Sequence, residues 1–476
     1  MSTGGFSEAM QDTIAAIATP VGGSGIGIIR ISGHRSVDIA GVLFTPSRHA
    51  GAATFARTLD RLPSHYLKHG YIHEPGKQRI VDEVLLVVMR RPHSYTREDV
   101  VEIQSHSGPV VLNKIITLVL AQGARLAEPG EFTRRAFLNG RIDLSQAEAV
   151  EELISAKSDD ALNFAANHLS GAMKEAIQDL IEVIGALQAE MEAGLEFPDE
   201  IAGTSDWRSA IESIRGRAIL PIERMLKHYD EGHWLRDGIR LGIAGTPNVG
   251  KSSLLNALIR KDKAIVTPIP GTTRDPIEAH MTLGGLPIFI TDTAGIHDSQ
   301  DPVEILGIVK TREYIGQSDI VLFVVDAERP FSEADFAAFE QLENRCCIVT
   351  VNKIDLVEAA QKLEVPEPFQ QHPVACISAK YGDGLEALQD LIVQCAVGKV
   401  GLEPGTAVVP NLRQKMALES ALDWLKKSCQ GLEEGIGAEL IVSELARAKA
   451  RLSEITGLVC HGDLLDEIFS RFCIGK

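Results

Sequence analysis

Between residues 239 and 377 the chain carries five short, nearly unbroken apolar runs: Ile239–Ala244, Leu286–Ile290, Ile320–Val325, Cys347–Val351 and Val374–Ile377. Each has the length of a strand buried on both faces, with helix-compatible stretches between them. That alternation predicts an open α/β sheet. Upstream the pattern differs. From about Asp12 to about Phe137, strand-like runs (Ile14–Ala18, Gly27–Ile31, Val81–Met89, Val100–Gln104) accompany one helical pattern, Val110–Leu120, which predicts an α+β domain. Around Ser145 the period changes. Ser145-Gln146-Ala147-Glu148 reads as a capping box before an apolar run. Met173, Ile177, Leu180, Ile184, Leu187 and Met191 then recur at four-three spacing, a buried helical stripe. The helical pattern runs on to about Trp234, interrupted near Pro198 and Thr204. Beyond a linker-like segment from Lys399, Leu412–Leu425 and Leu440–Ile455 are helical again. Neither helical flank alone buries a full core, so the two are expected to form one bundle with the α/β domain inserted. The expected division is 1–137 (α+β), 138–237 (helical, first part), 238–398 (α/β) and 399–476 (helical, second part, with a C-terminal tail).

The first apolar run is followed by Gly245-Thr246-Pro247-Asn248-Val249-Gly250-Lys251-Ser252-Ser253 and a helix start. Strand, glycine turn and helix are the context a phosphate-binding loop requires. The two glycines let the backbone wrap around phosphates, and the helix N-terminus points its amides at the anion. Lys251 is placed to reach the outer phosphates and Ser252 to sit on Mg²⁺.

Later runs end in further chemistry. Asp292-Thr293-Ala294-Gly295 follows the second, with Asp292 placed to act on Mg²⁺ and the Gly295 amide to sense a γ-phosphate. Asn352-Lys353-Ile354-Asp355 follows the fourth. A carboxylate at Asp355 can accept from guanine N1–H and its 2-amino group; adenine offers neither donor, so the site would select GTP. Ser378-Ala379-Lys380 follows the fifth and would close over the base. In this order, each at a strand's carboxyl end, these segments describe an α/β sheet with its ligand at that edge. One position departs from Ras-type GTPases, which place a water-orienting glutamine directly after Asp-x-x-Gly. Here it is Ile296. Asn248 could instead hold a monovalent cation against the phosphates. Glu304 could order the water or be a solvated surface charge.

The phosphate loop with Asn248, the segment Gly271-Thr272-Thr273-Arg274-Asp275, Asp292–Gly295, the opening Asp12–Pro20 and the terminal Phe472-Cys473-Ile474-Gly475-Lys476 together resemble the tRNA-modification GTPase MnmE (TrmE) family. The resemblance spans essentially the whole chain. It implies a Ras-like P-loop G domain inserted in a discontinuous helical bundle, behind an N-terminal domain that binds folate and dimerises. It also implies a potassium-activated GTPase that works as a homodimer with MnmG, a flavoprotein carrying FAD. Together they would add an aminomethyl-type or carboxymethylaminomethyl group to C5 of the wobble uridine of certain tRNAs. The one-carbon donor would be 5-formyltetrahydrofolate or a related folate. Position by position, the nucleotide contacts extend to Thr267-Pro268-Ile269-Pro270-Gly271-Thr272-Thr273. Asn248, Thr267, Ile269 and Thr272 match the K⁺ site, Ser252 and Thr273 the Mg²⁺ ligands, and Glu304 the water-orienting glutamate. Arg30, Glu102, Arg141 and Lys476 match folate-contacting positions. Arg141 stands where lysine also occurs, and guanidinium and ammonium are not interchangeable. Cys473 beside the tail is either a catalytic or redox thiol or a packing cysteine. Lys476 could reach the folate site of its own chain or of a dimer partner.

The formal charge of −18 over 476 residues changes one part of this picture. Proteins that grip RNA chiefly through their own surface are usually basic, so tRNA contact is expected to be local or supplied by a partner. Seven cysteines without a Cys-x-x-Cys pair argue for a reducing, cytoplasmic setting. No signal peptide or membrane-length apolar run is visible. Two other functions fit parts of the pattern. One is a GTP-gated dimerising scaffold that senses folate. The other is a ribosome-assembly GTPase, disfavoured by the N-terminal domain and the terminal pentapeptide.

Overall fold

The computed structural model describes all residues except 1–11, 21–23, 47–58, 60, 78, 157–158, 197–206, 262–277, 284–285, 292–317, 330, 343–345, 358–364, 398–407, 460–461 and 476. The chain separates into two compact units. One comprises Met1–Glu151, Lys174–Ile181 and Ala450–Lys476; the other comprises Glu152–Met173 and Glu182–Lys449.

The first unit is built on seven strands: β1 (Ile14–Ile17), β2 (Ile26–Ser32), β3 (Phe44–Thr45), β4 (Leu67–His73), β5 (Ile80–Met89), β6 (Val100–His106) and β7 (Arg125–Leu126). They lie in the order β3-β4-β5-β6-β2-β1-β7, antiparallel except that β7 runs parallel to β1. Helices Ser36–Leu43 and Pro109–Ala121 supply apolar side chains to a core with Ile29, Ile31, Leu86 and Ile103 of the sheet. Strand alternation sends Arg30 and Glu102 to the opposite face. Glu102 is not on an edge strand, the alternative its charge suggests, because β6 pairs with both β5 and β2.

Helix Glu131–Leu138 is tied to the sheet by ions. Arg135, 4% exposed, donates to Glu98 (3.1 Å), to Glu131 (2.9 Å) and to Asp12; Arg125 pairs with both Asp12 and Glu131. Burial alone would raise the Glu131 carboxyl, but Arg125, the Glu128 amide and Arg135 outweigh it and hold it below its ordinary value. The next helix, Leu144–Ser155, is capped two residues earlier than the sequence suggests. Asp143 accepts from the Gln146 amide (2.9 Å), and the Gln146 side chain accepts from the Asp143 amide (3.1 Å). Ser145, expected to be the cap, is instead buried and donates to Asp143. The C-terminal helix Gly462–Ser470 closes this unit through Leu465, Ile468 and Phe469 against Leu144 and Ala147.

The second unit holds a sheet of β8 (Ile239–Ala244), β9 (Glu278–Leu283), β10 (Leu286–Thr291), β11 (Ile320–Asp326), β12 (Cys346–Asn352) and β13 (Val374–Cys376), in the order β13-β12-β11-β8-β10-β9. All pairs are parallel except β9 with β10, giving the Ras-like α/β fold expected. All five apolar runs lie in these strands or directly after them. Helix Leu412–Glu434 packs against the segment Trp207–Asp237, through Arg215–Glu433, Lys415–Asp230 and Lys426–Glu223 ion pairs. That segment contains a π-helical turn, Arg215–Ile219, which no periodicity flagged. The four-three stripe is buried at every one of its six positions in helix Ala172–Glu196.

Because the Glu131 carboxyl is lowered in the folded chain, its stabilisation is complete above the unfolded value of about 4.3 and is lost as pH falls through the lower folded value. Glu131→Gln is therefore expected to cost the first unit about 3 kcal/mol at pH 7, the scale for breaking a buried pair. The gap to wild type should begin to narrow as pH falls below about 4.3. Calorimetric unfolding of both proteins from pH 7 to pH 3 checks this; a gap that stays constant to pH 3 would contradict it.

Candidate functional site

Strand order reverses at β8, which lies between β11 and β10, so the loop leaving its carboxyl end faces a crevice suited to a ligand. Two glycines make that loop possible. Gly245 has φ of +144°, and a Cβ there would lie 2.3 Å from the Val324 carbonyl oxygen. Gly250 has φ of +95°, and its Cβ would lie 2.3 Å from Asn352 Nδ2. Between them Asn248 takes a left-handed conformation with φ of +65°, which asparagine tolerates better than most residues. Lys251 begins helix Lys251–Lys261, and its Nζ folds back to donate to the carbonyls of Gly245 (3.0 Å) and Thr246 (2.9 Å). Ser252 and Ser253 follow, exposed, in the first turn, where helix amides are free to meet an anion. Val249 is fully buried and anchors the loop in the core.

The segments after β12 and β13 meet this loop through the Asn352 side chain. Asn352, 2% exposed, donates from Nδ2 to the Val249 carbonyl (2.9 Å) and accepts at Oδ1 from the Ala379 amide (3.0 Å). Asp355 lies in a 3₁₀ turn, Ile354–Leu356, and accepts from the Ser378 hydroxyl at 2.6 Å. Lys353, with φ of +66°, pairs with Asp326 at 2.6 Å. Lys380 lies over the Tyr381 ring, 4.9 Å from its centre. Asn248, Val249, Gly250, Lys251, Asn352, Asp355, Ser378 and Ala379 are thus gathered at one end of the sheet. Thr267, Pro268, Ile269, Pro270, Gly271, Thr272, Thr273, Asp292, Thr293, Ala294, Gly295 and Glu304 lie outside the described residues.

A second charged site lies in the other unit. Arg30 and Glu102 face each other in register on β2 and β6, joined at 2.8 Å. The Arg30 guanidinium lies 5.6 Å from the Phe132 ring centre and 5.8 Å from that of Tyr95. Arg141 stacks on the same Tyr95 at 4.8 Å. The C-terminal tail reaches this place within its own chain: Arg30 Nη1 donates to the Gly475 carbonyl at 3.3 Å. Gly475 has φ of +96°, and a Cβ there would lie 2.6 Å from the Ile17 carbonyl, so only glycine lets the tail press against the end of β1. Cys473 is a free, exposed thiol. Lys476 lies outside the described residues. Three expected positions, Arg30, Glu102 and Arg141, are therefore brought together. Tyr95, which bridges the two arginines, was missed, since nothing in the Ser94-Tyr95-Thr96 pattern marks it.

The family description "GTP-binding protein TrmE N-terminus" matches residues 13–141, and "MnmE helical domain" matches 144–473. The tRNA modification GTPase MnmE of Carboxydothermus hydrogenoformans is 43% identical, covering 98% of this chain and 100% of that protein. That of Symbiobacterium thermophilum is 44% identical with the same coverage. The chain belongs to the MnmE family of tRNA modification GTPases. It is a GTP hydrolase. Among solved structures, the G domain of the T. maritima FeoB iron transporter covers 33% of this chain and 98% of its own at 31% identity, with a TM-score of 0.26. Among the described residues, no helix is long and apolar enough to cross a membrane.

If Asp355 reads the guanine edge in this family member, Asp355→Asn should weaken GTP binding and shift preference toward xanthosine triphosphate, which presents an acceptor where guanine has a donor. Competition between the two nucleotides for the variant measures the shift. GTP binding as tight as wild type would remove Asp355 from base reading.

Proposed function

We propose that the chain is a K⁺-activated GTPase which, as a homodimer with the flavoprotein MnmG, modifies C5 of the wobble uridine of certain tRNAs with a folate-borne one-carbon unit. The product carries an aminomethyl or carboxymethylaminomethyl group. The observation that carries this reading is the tail bonded to Arg30 beside Glu102, Tyr95 and Arg141. It supports a site for a flat, polar, anionic ligand, which a reduced folate is. Glu102 suits the amino-pyrimidine donors of a pteridine, the Tyr95 ring suits its face, and Arg30 and Arg141 suit its glutamate carboxylates. Lys476 would add a cation at the same place. The folate, when bound, supplies the carbon; the residues named bind and orient it. Cys473, exposed two residues before Gly475, is available to act as a nucleophile or redox group there.

At the G domain, Ser252 and Thr273 would hold Mg²⁺, and Asn248 with Thr267, Ile269 and Thr272 would hold K⁺. The potassium reading follows from the residues: Ile296 cannot orient water, and a cation against the phosphates neutralises charge developing in the transition state. Glu304 would position the water. A cytoplasmic setting follows from the tRNA substrate.

Loss of the modified wobble uridine in a deletion strain, restored by the wild-type chain but not by one lacking Cys473–Lys476, tests the modification reading. Restoration by the truncated chain would overturn the role of the tail, and unchanged wobble uridine in the deletion strain would favour a scaffold.

Turnover in KCl is expected to exceed that in NaCl at matched ionic strength, and Glu304→Ala to lower kcat about 100-fold with GTP affinity nearly intact. Equal turnover in the two salts, or a parallel loss of affinity, would contradict this account.

A further inference from the structure

The segment from Asp326 to Asp335, between β11 and helix Glu333–Glu340, carries none of the nucleotide-contacting positions described above, yet it touches both ends of the nucleotide site. At its start, Asp326 takes the Lys353 ammonium at 2.6 Å and the Glu328 amide at 3.0 Å. At its end, Asp335 is 2% exposed and accepts from the Thr246 hydroxyl at 2.7 Å. Asp335 is also the third residue of a capping box, accepting from the Ser332 amide (3.0 Å) and hydroxyl (2.7 Å). Arg329, between them, donates to the same Thr246 oxygen and lies 3.7 Å from Asp335.

Thr246 is the second residue of the phosphate loop, and its carbonyl receives Lys251 Nζ. The threonine hydroxyl donates to Asp335 and accepts from Arg329, which ties down the residue whose carbonyl oxygen holds the phosphate lysine. We propose that Thr246, Arg329 and Asp335 form a positioning brace that sets the phosphate loop for the β- and γ-phosphates, and that Asp326 performs the matching task for the base through Lys353. Asp335 suits this work. Burial would raise its carboxyl, but Ser332, Thr246 and Arg329 hold it below the ordinary value, so it stays an anion and a strong acceptor. A buried, charged acceptor fixed on a capped helix cannot follow the loop, so the loop must conform to it.

The brace predicts a split that a general loss of structure would not produce. Thr246→Val keeps the shape and removes the hydroxyl; Thr246→Ser keeps the hydroxyl. Competition against a fluorescent GDP should show Thr246→Val binding GTP and GDP about 10-fold more weakly while GMP, which lacks those phosphates, binds as before. Thr246→Ser should restore wild-type affinity. Asp335→Ala should match Thr246→Val, and the double variant should be no worse than either, since they break one interaction. Asp326→Ala should weaken GTP, GDP and GMP by one common factor. Wild-type GTP affinity in Thr246→Val, an equal loss of GMP, or multiplying losses in the double variant would each overturn the brace.

Discussion

The proposed nucleotide site depends on one buried amide. Asn352 reaches the glycine loop through the Val249 carbonyl and the Ser378–Lys380 loop through the Ala379 amide, so its side chain ends β12 and clasps the loops after β8 and β13. Its seat requires Gly250, since any Cβ there would fall on the Asn352 amide nitrogen. Its neighbours follow from the same constraint: once the strand ends, Lys353 turns left-handed and Asp355 enters the 3₁₀ turn where Ser378 holds it. A buried side-chain amide with donor and acceptor both used is costly to leave half-satisfied, so the three loops are fixed as a set.

The first unit, which carries the N-terminal sheet, solves a different problem with charge. Its helix Glu131–Leu138 carries few apolar contacts, Phe132 and Ala136 among them, and is held by Arg135 among Asp12, Glu98 and Glu131. The same helix presents Phe132 to the Arg30 guanidinium, so the ion network and the charged site share one element. Arg30 in turn meets the tail at Gly475, which joins the far end of the chain to its second strand.

Much of this was legible before any coordinates. Apolar runs buried on both faces leave little choice but parallel strands, and the glycine loop after the first of them falls where strand order reverses. Arg30, Glu102 and Arg141 came from family resemblance, since no local pattern marks two residues on different strands as neighbours. Tyr95 was illegible because its role arises from two arginines distant in sequence. The start of helix Leu144–Ser155 was misread by two residues because Asp143-x-x-Gln146 and Ser145-x-x-Glu148 are overlapping capping patterns, and burial of Ser145 decides between them. Asp335 had a visible signal, Ser332-x-x-Asp335, but a cap alone gives no hint that the carboxylate also holds the phosphate loop.

The measurement that bears most directly on this account is the GTP affinity of Asn352→Asp, taken by calorimetry alongside its thermal unfolding. The change is isosteric and replaces the donor to Val249 with an oxygen that repels it. The account predicts a chain that still folds but binds GTP at least about 100-fold more weakly, from the loss of a buried bond and the repulsion in its place. Affinity within about 2-fold of wild type, with the fold intact, would contradict the claim that this amide holds the site together.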